Sequence, residues 1–276
     1  MISMRNRAQT RFVVLAPPRQ AAPLLFRNIR IDTLRHVELV AEMQRFRGKM
    51  YLRDGAIDAS DLTQDGRHKV AVDDRAWHVL SLDKDGRVCA CLRYLDETQA
   101  PGFDDLWVRH AALSSAPGGL GKKFRRIVEN RLAAARDTGM RFGEVGGWAV
   151  AEEHRGTLEP LRIILATYGL LELMGGALGV ATATVRHDSA SILRRIGLSS
   201  LGSGSEEMPE YFDPQYDCKM QMLQFDSRFP NPRYEGLVHE LAHDLTTAPV
   251  YCRDRFRATL HSVLLSFDAP PTPAMA

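Results

Sequence analysis

The stretch Gly143-Glu-Val-Gly-Gly-Trp-Ala-Val150 is followed by Ala151-Glu-Glu-His-Arg-Gly-Thr157 and then by a long apolar segment, residues 158–174. The first stretch predicts a strand that begins at Glu144. The segment after the loop is apolar nearly all round, which predicts a helix buried against a sheet. Residues 180–185 are rich in β-branched side chains and predict a second strand. Together these stretches predict a strand-helix-strand unit, which is typical of a mixed α/β domain.

Two adjacent glycines, Gly146 and Gly147, interrupt the first predicted strand. Glycines weaken a strand, and inside one they mark a β-bulge or a place where a ligand approaches the backbone closely. Simple tight packing against a neighbouring element is the alternative. The sequence leaves both interpretations open.

The loop between the strand and the helix has the composition of an anion site. Arg155, Gly156 and Thr157 precede the predicted helix, where unpaired backbone N–H groups and the helix dipole attract a phosphate. The loop therefore predicts a phosphate-binding site. The alternative is that Thr157 only caps the helix and that Arg155 is a solvated charge.

Further predicted helices and strands alternate on both sides of this unit, in a mixed α/β (α+β) order. Asp83-Lys-Asp-Gly86 is a hairpin turn signal, so the strands that flank it are predicted to be antiparallel. Asp32 is predicted to cap a helix that ends near Phe46. The remaining patterns predict strands over residues 24–31, 77–82, 87–95 and 219–225, and helices over residues 120–138, 189–195 and 232–245.

The composition is that of an ordinary globular protein. The chain has 276 residues, of which 45% are hydrophobic and 25% are charged, so it can bury a sizeable core. We expect a single domain over residues 23–265. Residues 1–22 are basic and contain Pro17 and Pro18, which predicts a flexible arm. Residues 266–276 are proline-rich and are predicted to be disordered.

Charge and cysteine usage exclude several classes of protein. The net charge is +2, and the basic residues are interspersed with acidic ones, so a nucleic-acid partner is not predicted. No apolar segment approaches membrane-spanning length, so we predict no integral membrane association. The four cysteines have no CxxC spacing, and Cys89 and Cys91 are interpreted as packing residues. With no secretory segment before them, a cytoplasmic location is predicted.

The central unit resembles a known superfamily. The strand, the Arg-Gly loop, the helix and the stretch Arg186-His-Asp-Ser-Ala-Ser-Ile-Leu-Arg-Arg-Ile-Gly197 are similar to the two central motifs of the GNAT acyltransferases. The resemblance implies a mixed, mostly antiparallel central sheet flanked by helices.

More distant stretches resemble one branch of that superfamily, the acyl-homoserine-lactone autoinducer synthases and the bacterial N-acyl amino acid synthases. The glutamate-containing strand of this branch is similar to Glu144–Val150, although its usual Ser-Arg pair is replaced here by Gly146-Gly147. The resemblance spans residues 45–250. The other stretches are Arg47-Gly-Lys-Met-Tyr51, the acidic loop with Asp65 and Asp73, Trp77-His-Val-Leu80, Cys91-Leu-Arg93, Tyr211-Phe-Asp-Pro-Gln-Tyr-Asp-Cys218 and Leu223-Gln-Phe-Asp-Ser-Arg228, of which the last two are closer to the N-acyl amino acid synthases.

The resemblance implies an N-acyltransferase. Its expected reaction moves a long-chain acyl group from an acyl carrier protein thioester to the amine of an amino acid or a similar small molecule. A coenzyme A-dependent acetyltransferase and an inactive GNAT-like binding module are the alternatives. Acyl-phosphopantetheine on the carrier protein, or acyl-coenzyme A, is a co-substrate, so no permanently bound cofactor is expected.

Two departures from the GNAT pattern bear on the donor and on the leaving group. GNAT enzymes bind the pyrophosphate of coenzyme A with a loop of the form (Gln/Arg)-x-x-Gly-x-Gly, whose glycines are replaced here by Leu158 and Pro160. Glu159 adds a negative charge, so a donor with a single phosphodiester is favoured over coenzyme A. The tyrosine that many GNAT enzymes use to protonate the thiolate is replaced by Leu193. The leaving thiolate then departs unassisted, or is protonated by Tyr211, Tyr216 or a water molecule.

Glu144 is the candidate catalytic base. An amine is mostly ammonium at neutral pH, so a base must remove a proton before nitrogen attacks the thioester. Partial burial on a central strand raises the pKa of a carboxyl group toward the useful range. The alternative is a carboxylate paired with Arg141 or Arg155. The proposal requires the sheet to open beside residue 144, so that a pantetheine arm reaches the backbone.

The remaining candidate residues bind the two substrates. Backbone N–H groups on the second half of the strand are expected to contact the donor and to stabilise the oxyanion. Arginine side chains hold carboxylates bidentately, although solvated surface charge is the alternative for each of them. The candidates for donor binding are Gly147, Trp148, Ala149, Val150, Arg155, Gly156 and Thr157, and those for the acceptor carboxylate are Arg93, Arg186 and His187.

A competing motif lies near the C-terminus. His239-Glu-Leu-Ala-His243 matches the HExxH signature of zinc proteases, in which two histidines share a helix face. No glutamate follows Glu240 to supply a third ligand, and Pro249 replaces the histidine of the longer form of the motif. We therefore predict no metal site and interpret the segment as a helix packed through its leucines.

Overall fold

The fold is described from a computed structural model, which covers residues 10–18, 20–97 and 101–253. The predicted tail over residues 266–276, like residues 1–9 of the predicted arm, lies outside the described residues. The strands are β1 (Arg11–Leu15), β2 (Ile29–Ile31), β3 (Trp77–Leu82), β4 (Val88–Glu97), β5 (Arg141–Val150), β6 (Ala177–Thr184), β7 (Ser199–Ser200), β8 (Tyr211–Asp213), β9 (Cys218–Asp226) and β10 (Val250–Cys252). The helices are α1 (Thr33–Arg53), α2 (Leu120–Asp137), α3 (Glu152–Arg155), α4 (Glu159–Leu173), α5 (Ser189–Ile196) and α6 (Glu235–Thr247).

All ten of these strands join one sheet in the order β2-β10-β1-β3-β4-β5-β6-β9-β7, and β8 pairs with β9 beside this path. Neighbouring strands are antiparallel except at three junctions: β10 runs parallel to both β1 and β2, and β5 runs parallel to β6. The predicted mixed and mostly antiparallel sheet is confirmed.

The sheet splits between its two central parallel strands. The pairing of β5 with β6 ends at Val145 and Ala181, whereas β6 continues its pairing with β9 as far as Thr184. Beyond Val145, β5 remains paired only with β4, up to the pair formed by Ala90 and Val150. One edge of the second half of β5 is therefore open.

A β-bulge lies at the point of separation. The register of β4 against β5 jumps from Arg93 opposite Gly146 to Cys91 opposite Ala149, so that two β5 residues face one β4 residue. The two β5 residues at the bulge are Gly147 and Trp148, and the φ of Gly147, 64°, lies in the left-handed region. Of the two interpretations that the sequence left open for the glycine pair, the bulge is observed.

The helices cover both faces of the sheet. Helices α4 and α6 pack on one face with side chains such as Val14 and Leu92 of the sheet, whereas α1 packs on the other face against Leu15 and Leu80. The helix α2 covers the same second face further along, near β6. Side chains of a strand alternate between faces, so each inner strand supplies both cores. Within the described chain, no helix is both long and apolar enough to cross a lipid bilayer.

Several predicted boundaries differ from the observed ones. Asp32 does cap α1, since its Oδ1 accepts a hydrogen bond of 2.9 Å from the backbone N–H of Arg35. The helix continues beyond Phe46 to Arg53, because buried tertiary contacts stabilise polar residues in its second half. The strand predicted over residues 24–31 is reduced to the three residues of β2.

The prediction of a flexible arm over residues 1–22 is wrong for residues 11–15. These residues form β1, which lies inside the sheet between β10 and β3, and Val14 and Leu15 are completely buried. The run Phe12–Leu15 is apolar, and Pro17 comes only after it, so nothing in the run prevents it from pairing with two neighbours.

Candidate active site

A cavity of about 190 Å³ lies where β5 and β6 separate. Residues Glu144 to Trp148 of β5 form one side, and residues Val180 to Thr184 of β6 form the other. Tyr51 and Asp54 from the end of α1 and Tyr216 from the turn before β9 also line it. We call it the donor cavity, because it lies along the open edge of β5, where the sequence analysis expects the acyl donor to bind. The sheet thus opens beside Glu144, as the sequence argument requires.

Glu144 is buried on the last paired segment of β5, two residues before the open edge begins. Its Oε1 accepts a hydrogen bond from the backbone N–H of Trp107 and its Oε2 accepts one from that of Val108, both at 2.6 Å. Burial raises the pKa of Glu144 to about 7, although the two N–H donors oppose part of the rise. The alternative in which Glu144 pairs with Arg141 or Arg155 is not observed.

Those two arginines bind other carboxylates. Arg141 forms an ion pair with Asp96, and Arg155 forms one with Asp54. Glu144 therefore has no ion-pair partner among the described residues. The structure leaves it as a buried carboxyl group at the wall of a cavity, with a pKa in the range of a useful base.

Two buried arginines share one buried aspartate beside the bulge. The Nη1 and Nη2 atoms of Arg47 donate to Asp73 Oδ1 at 3.0 Å and Oδ2 at 2.7 Å, and Nη1 of Arg93 donates to Oδ1 at 3.3 Å. Neither Asp73 nor Arg47 is more than 3% exposed. The cluster carries one excess positive charge, and the Nε atom of Arg93 has no partner among the described residues. It is therefore suited to bind an anion.

A second cavity, of about 80 Å³, lies against this cluster. We call it the acceptor cavity, because Arg93, a predicted ligand of the acceptor carboxylate, lines it. Arg93 and Tyr216 line both cavities, so the two spaces meet next to the β5 bulge. The acceptor cavity is also lined by Arg47, His68, His110, Tyr211 and Asp213.

The glycine pair makes room for the arginines. A Cβ atom on Gly147 would lie 3.3 Å from Cβ of Arg93 and 3.4 Å from Nη1 of Arg47, and one on Gly146 would lie 3.4 Å from Nη2 of Arg93. Larger residues at these two positions would crowd the guanidinium groups. The two glycines thus leave space for two arginines at the bulge.

The residues predicted to bind a phosphate follow Val150, and none of them lines the donor cavity, although Asp54, which pairs with Arg155, does. The Nε atom of Arg155 donates to Val150 O at 3.1 Å, and its Nη1 and Nη2 atoms donate to Asp54 at 2.9 and 2.7 Å. Thr157 lies one residue before Leu158, the N-cap of the following helix, and its Oγ1 accepts from the Glu159 N–H at 3.1 Å. Thr157 thus bonds to the first turn of the helix without being its N-cap, and Arg155 is in an ion pair rather than a free charge.

Backbone donors at this end are scarce. The N–H of Thr157 donates to His154 O, that of Glu159 donates to Thr157, and Pro160 has none. The expectation that Glu159 places its charge near the phosphate is wrong, because its buried carboxylate accepts hydrogen bonds from Arg162 and Thr10. A pyrophosphate would find few amides here.

Solved structures with a similar fold come from the autoinducer synthases. The synthase BjaI, a CoA-dependent acyl-homoserine lactone synthase bound to SAM and isopentyl-CoA, superposes with a TM-score of 0.53 and 12% identity, over 88% of this chain and 93% of BjaI. The structure of BjaI with MTA superposes with a TM-score of 0.52 and 14% identity, again over 88% of this chain and 93% of BjaI. This chain has the fold of an acyl-homoserine lactone synthase. At such low identity the likeness shows the fold alone, and it confirms the resemblance that the sequence predicted.

Other comparisons add little. FeeM, an N-acyl amino acid synthase from uncultured soil microbes, covers 68% of this chain and 90% of its own length at 14% identity, but a TM-score of 0.40 is too low to support an inference. No protein-family model matches the sequence, and no curated protein matches it either.

Within this synthase-like fold, the three predicted acceptor-binding residues have different positions. Arg93 lines both cavities. Arg186 lines neither of them, and its Nη2 donates to Asp217 O at 2.7 Å while its Nη1 donates to Gly55 O at 3.5 Å. The side chain of His187 lies outside the described part of the structure. Arg93 is thus the predicted carboxylate ligand that the fold brings to the site.

Leu193 lines the donor cavity, where many GNAT enzymes have their tyrosine. Tyr216 lines both cavities, whereas Tyr211 lines only the acceptor cavity. Burial raises the pKa of both tyrosines, so both hydroxyl groups remain protonated at neutral pH. Of the two tyrosines that the sequence left open as the acid, Tyr216 is the one at the junction of the cavities.

The HExxH segment lies on α6, away from both cavities. His239 Nδ1 is 2.9 Å from a carboxylate oxygen of Glu172 on α4, and Val238, Leu241 and Leu245 are buried against the core. In the part of the chain that the structure describes, no three histidine, cysteine or acidic side chains form a group that would hold a metal ion.

Four contributors to the site escaped the sequence argument. Trp107 and Val108 act through backbone N–H groups, which every non-proline residue has, so their side chains give no signal. Asp73 was noted only as part of an acidic loop, because its contact with the buried arginines, 26 and 20 residues away in the sequence, depends on the fold. Asp54 follows a helix that was predicted to end earlier, near Phe46.

Proposed function

We propose that this protein is an N-acyltransferase that moves an acyl group from a thioester to the amine of an amino acid or a similar small molecule. The observation that carries the proposal is a buried carboxyl group, Glu144, which has a pKa of about 7 and lies on β5 two residues before its open edge begins. A thioester in the donor cavity and an amine in the acceptor cavity would meet beside it.

Glu144 acts as the general base. With a pKa of about 7 it is about half ionised at neutral pH, and it takes a proton from the acceptor ammonium, directly or through a water molecule. The free amine then attacks the thioester carbonyl carbon. Backbone N–H groups between Gly147 and Val150 stabilise the oxyanion of the tetrahedral intermediate. The nitrogen gives up its second proton to solvent as the carbon–sulfur bond breaks. The thiolate receives a proton from water, or from Tyr216, which solvent then reprotonates.

Arg93 binds the acceptor. It is buried beside the junction of the cavities, and its Nε atom has no partner among the described residues. A carboxylate that enters the acceptor cavity would neutralise the excess positive charge of the cluster formed by Arg47, Arg93 and Asp73. This arrangement supports an amino acid, or another amine that carries a carboxylate, as the acceptor.

The donor is the thioester of a phosphopantetheine arm, and we propose acyl carrier protein as its source. The open edge of β5 offers backbone groups to the amides of the arm, and the buried indole N–H of Trp148 has no partner among the described residues. The scarcity of free amides near Thr157 favours a single phosphodiester over the pyrophosphate of coenzyme A. Long-chain acyl-coenzyme A is the second candidate donor, since BjaI is described as CoA-dependent.

Thiol release tests the proposal directly. Purified protein is incubated with long-chain acyl carrier protein, with acyl-coenzyme A of the same chain length or with acetyl-coenzyme A, and with single amino acids as acceptors. We expect free thiol to form at a rate that depends on the acceptor, with a matching N-acyl amino acid in the mass spectrum. If no thioester is consumed with any amino acid, or if Glu144→Gln is as active as the wild type, the proposal is wrong.

A further inference from the structure

Asp54, which lines the donor cavity, holds Arg155 of the loop after β5 in an ion pair. Its two carboxylate oxygens accept hydrogen bonds from both terminal nitrogens of Arg155, and the Nε atom of the same arginine donates to Val150 O. Each of the three guanidinium nitrogens of Arg155 therefore donates a hydrogen bond. The side chain of Asp54 is 20% exposed and that of Arg155 is 33% exposed, so the pair is accessible from solvent.

The pair lies where the phosphate end of a donor would be. Val150 is six residues beyond Glu144, and a strand rises by roughly 3.3 Å per residue, so the two are about 20 Å apart along β5. A pantetheine arm with its thioester beside Glu144 extends in this direction along the open edge. Its phosphate then arrives next to Arg155, where a carboxylate already occupies the guanidinium group.

The other charges of this region do not favour a polyanion. Helix α3 contributes Glu152 and Glu153, both exposed, and Arg53 forms an ion pair with Glu152. With Asp54 and Arg155 included, and with Arg186 counted because its Nη1 donates to Gly55 O next to Asp54, three acidic groups stand against three arginines. The N-terminus of α4 adds few free N–H groups, as described above.

We propose that Asp54 determines the donor selectivity of this site. It keeps Arg155 neutralised and places a negative charge beside the donor phosphate, and Coulomb repulsion grows in proportion to the charge of the ligand. A phosphopantetheine arm on a carrier protein brings one phosphodiester, whereas coenzyme A brings a pyrophosphate and a further phosphate group. Asp54 thus penalises coenzyme A more than it penalises carrier-protein thioesters. This inference rests on the proposed acyltransferase function.

The test compares wild type with Asp54→Asn, which removes the charge but keeps the size of the side chain and an oxygen that accepts from Arg155. The kcat/KM values for acyl carrier protein and acyl-coenzyme A of equal chain length are measured with the same acceptor. We expect the value for acyl-coenzyme A to rise about fivefold, the upper range for a partly exposed charge pair, and that for the carrier protein to change less than twofold. Asp58→Asn is the matched control, because Asp58 is an exposed aspartate of the same loop without contact to Arg155.

A folded Asp54→Asn protein with an unchanged ratio of the two kcat/KM values overturns the inference and leaves the acyltransferase proposal intact. If the wild type consumes neither donor, the proposed function fails, and calorimetric titration of free coenzyme A still decides the role of Asp54. The variant should then bind coenzyme A about fivefold more tightly than the wild type, and equal affinities contradict the inference. Asp54→Ser removes the same charge and serves the same comparison if the amide variant does not fold.

Discussion

The carboxylate of Glu144 accepts two backbone N–H donors, which stabilise its charged form, yet its pKa is raised because burial has the larger effect. A group with a higher pKa in the folded than in the unfolded state binds more protons when folded. The stability of the protein therefore falls as the pH rises from about 4.5 to about 7, by on the order of 3 kcal/mol. Burial of this carboxyl group therefore lowers the stability of the fold at neutral pH.

Glu144→Gln tests this role through the pH dependence of activity. In the wild type, kcat/KM should rise with pH and level off above an inflection near 7, because only the ionised carboxylate accepts a proton. The variant should lose at least about 100-fold in kcat/KM and show no inflection in this range. Glu129→Gln, on the exposed face of α2, is the control. A variant that keeps the wild-type inflection would assign it to another group.

Arg93→Lys tests the acceptor site. Lysine keeps the charge but loses the planar fork that holds a carboxylate bidentately, so the KM for the amino acid should rise about tenfold while the KM for the donor is unchanged. Arg186→Lys should leave both constants unchanged, because Arg186 lines neither cavity. Equal effects of the two substitutions would refute the assignment of the acceptor carboxylate to Arg93.

At the scale of residues, the sequence identifies candidate side chains, but it does not give the distances between them. Glu144 and Arg93 were predicted as site residues, the first through its resemblance to a glutamate-containing strand, and the fold brings both to the cavities. Arg186 was predicted by the same chemistry, but its guanidinium group bonds to two loop carbonyl groups. Only the path of the backbone distinguishes Arg93 from Arg186.

The bulge in β5 is the element on which the site depends. It separates the strand from β6, exposes one backbone edge and leaves space for Arg47 and Arg93. Gly147 adopts a φ of 64°, which costs other residues about 1–2 kcal/mol. The bulge therefore depends on glycine for its backbone and for its lack of a side chain.

Gly147→Ala tests the importance of the bulge. We expect a loss of about 2 kcal/mol in the free energy of unfolding from backbone strain and crowding of Arg93, and at least a tenfold loss of kcat/KM. Urea denaturation and the acyl-transfer assay measure the two effects. Gly236→Ala, at an exposed position of α6 with open space around it, should instead stabilise the protein by up to about 1 kcal/mol. If both variants behave alike, the bulge has no special role.

Elements with a long periodic pattern were predicted well, and short ones were not. The hairpin around Asp83–Gly86, the helix α2 and the helix α4 were predicted with nearly the observed bounds. The strands β2, β8 and β10 have three residues each, which is too short to show a period of two. Such strands exist because a partner strand is already in place, and the partner lies far away in the sequence.

At the scale of the molecule, β1 joins the short strands β10 and β2 to the rest of the sheet. It pairs with β10 on one side and with β3 on the other, and its Val14 side chain has no exposed surface. A charge at this position would be buried without a partner. The misassigned arm is thus part of the core.

Val14→Asp should remove at least about 4 kcal/mol from the free energy of unfolding, which is close to the whole stability of many domains. We expect the variant to lose its cooperative unfolding transition in circular dichroism, or to accumulate as insoluble protein. Arg11→Ala, on an exposed residue of the same strand, should change the stability by less than about 0.5 kcal/mol. A stable Val14→Asp protein would show that the fold does not need residues 11–15, as the prediction of a flexible arm implies.

The strand β10 lies between β1 and β2, so residues 250–252 complete a part of the sheet that begins at residue 11. On the ribosome, the N-terminal strands emerge long before their neighbour is synthesised. Until β10 arrives, β1 and β2 present open hydrogen-bonding edges to the solvent and to other nascent chains. Completion of this end of the sheet is therefore a late, post-translational event. The yield of active protein depends on how well the unpaired edges of β1 and β2 are protected from other chains until then.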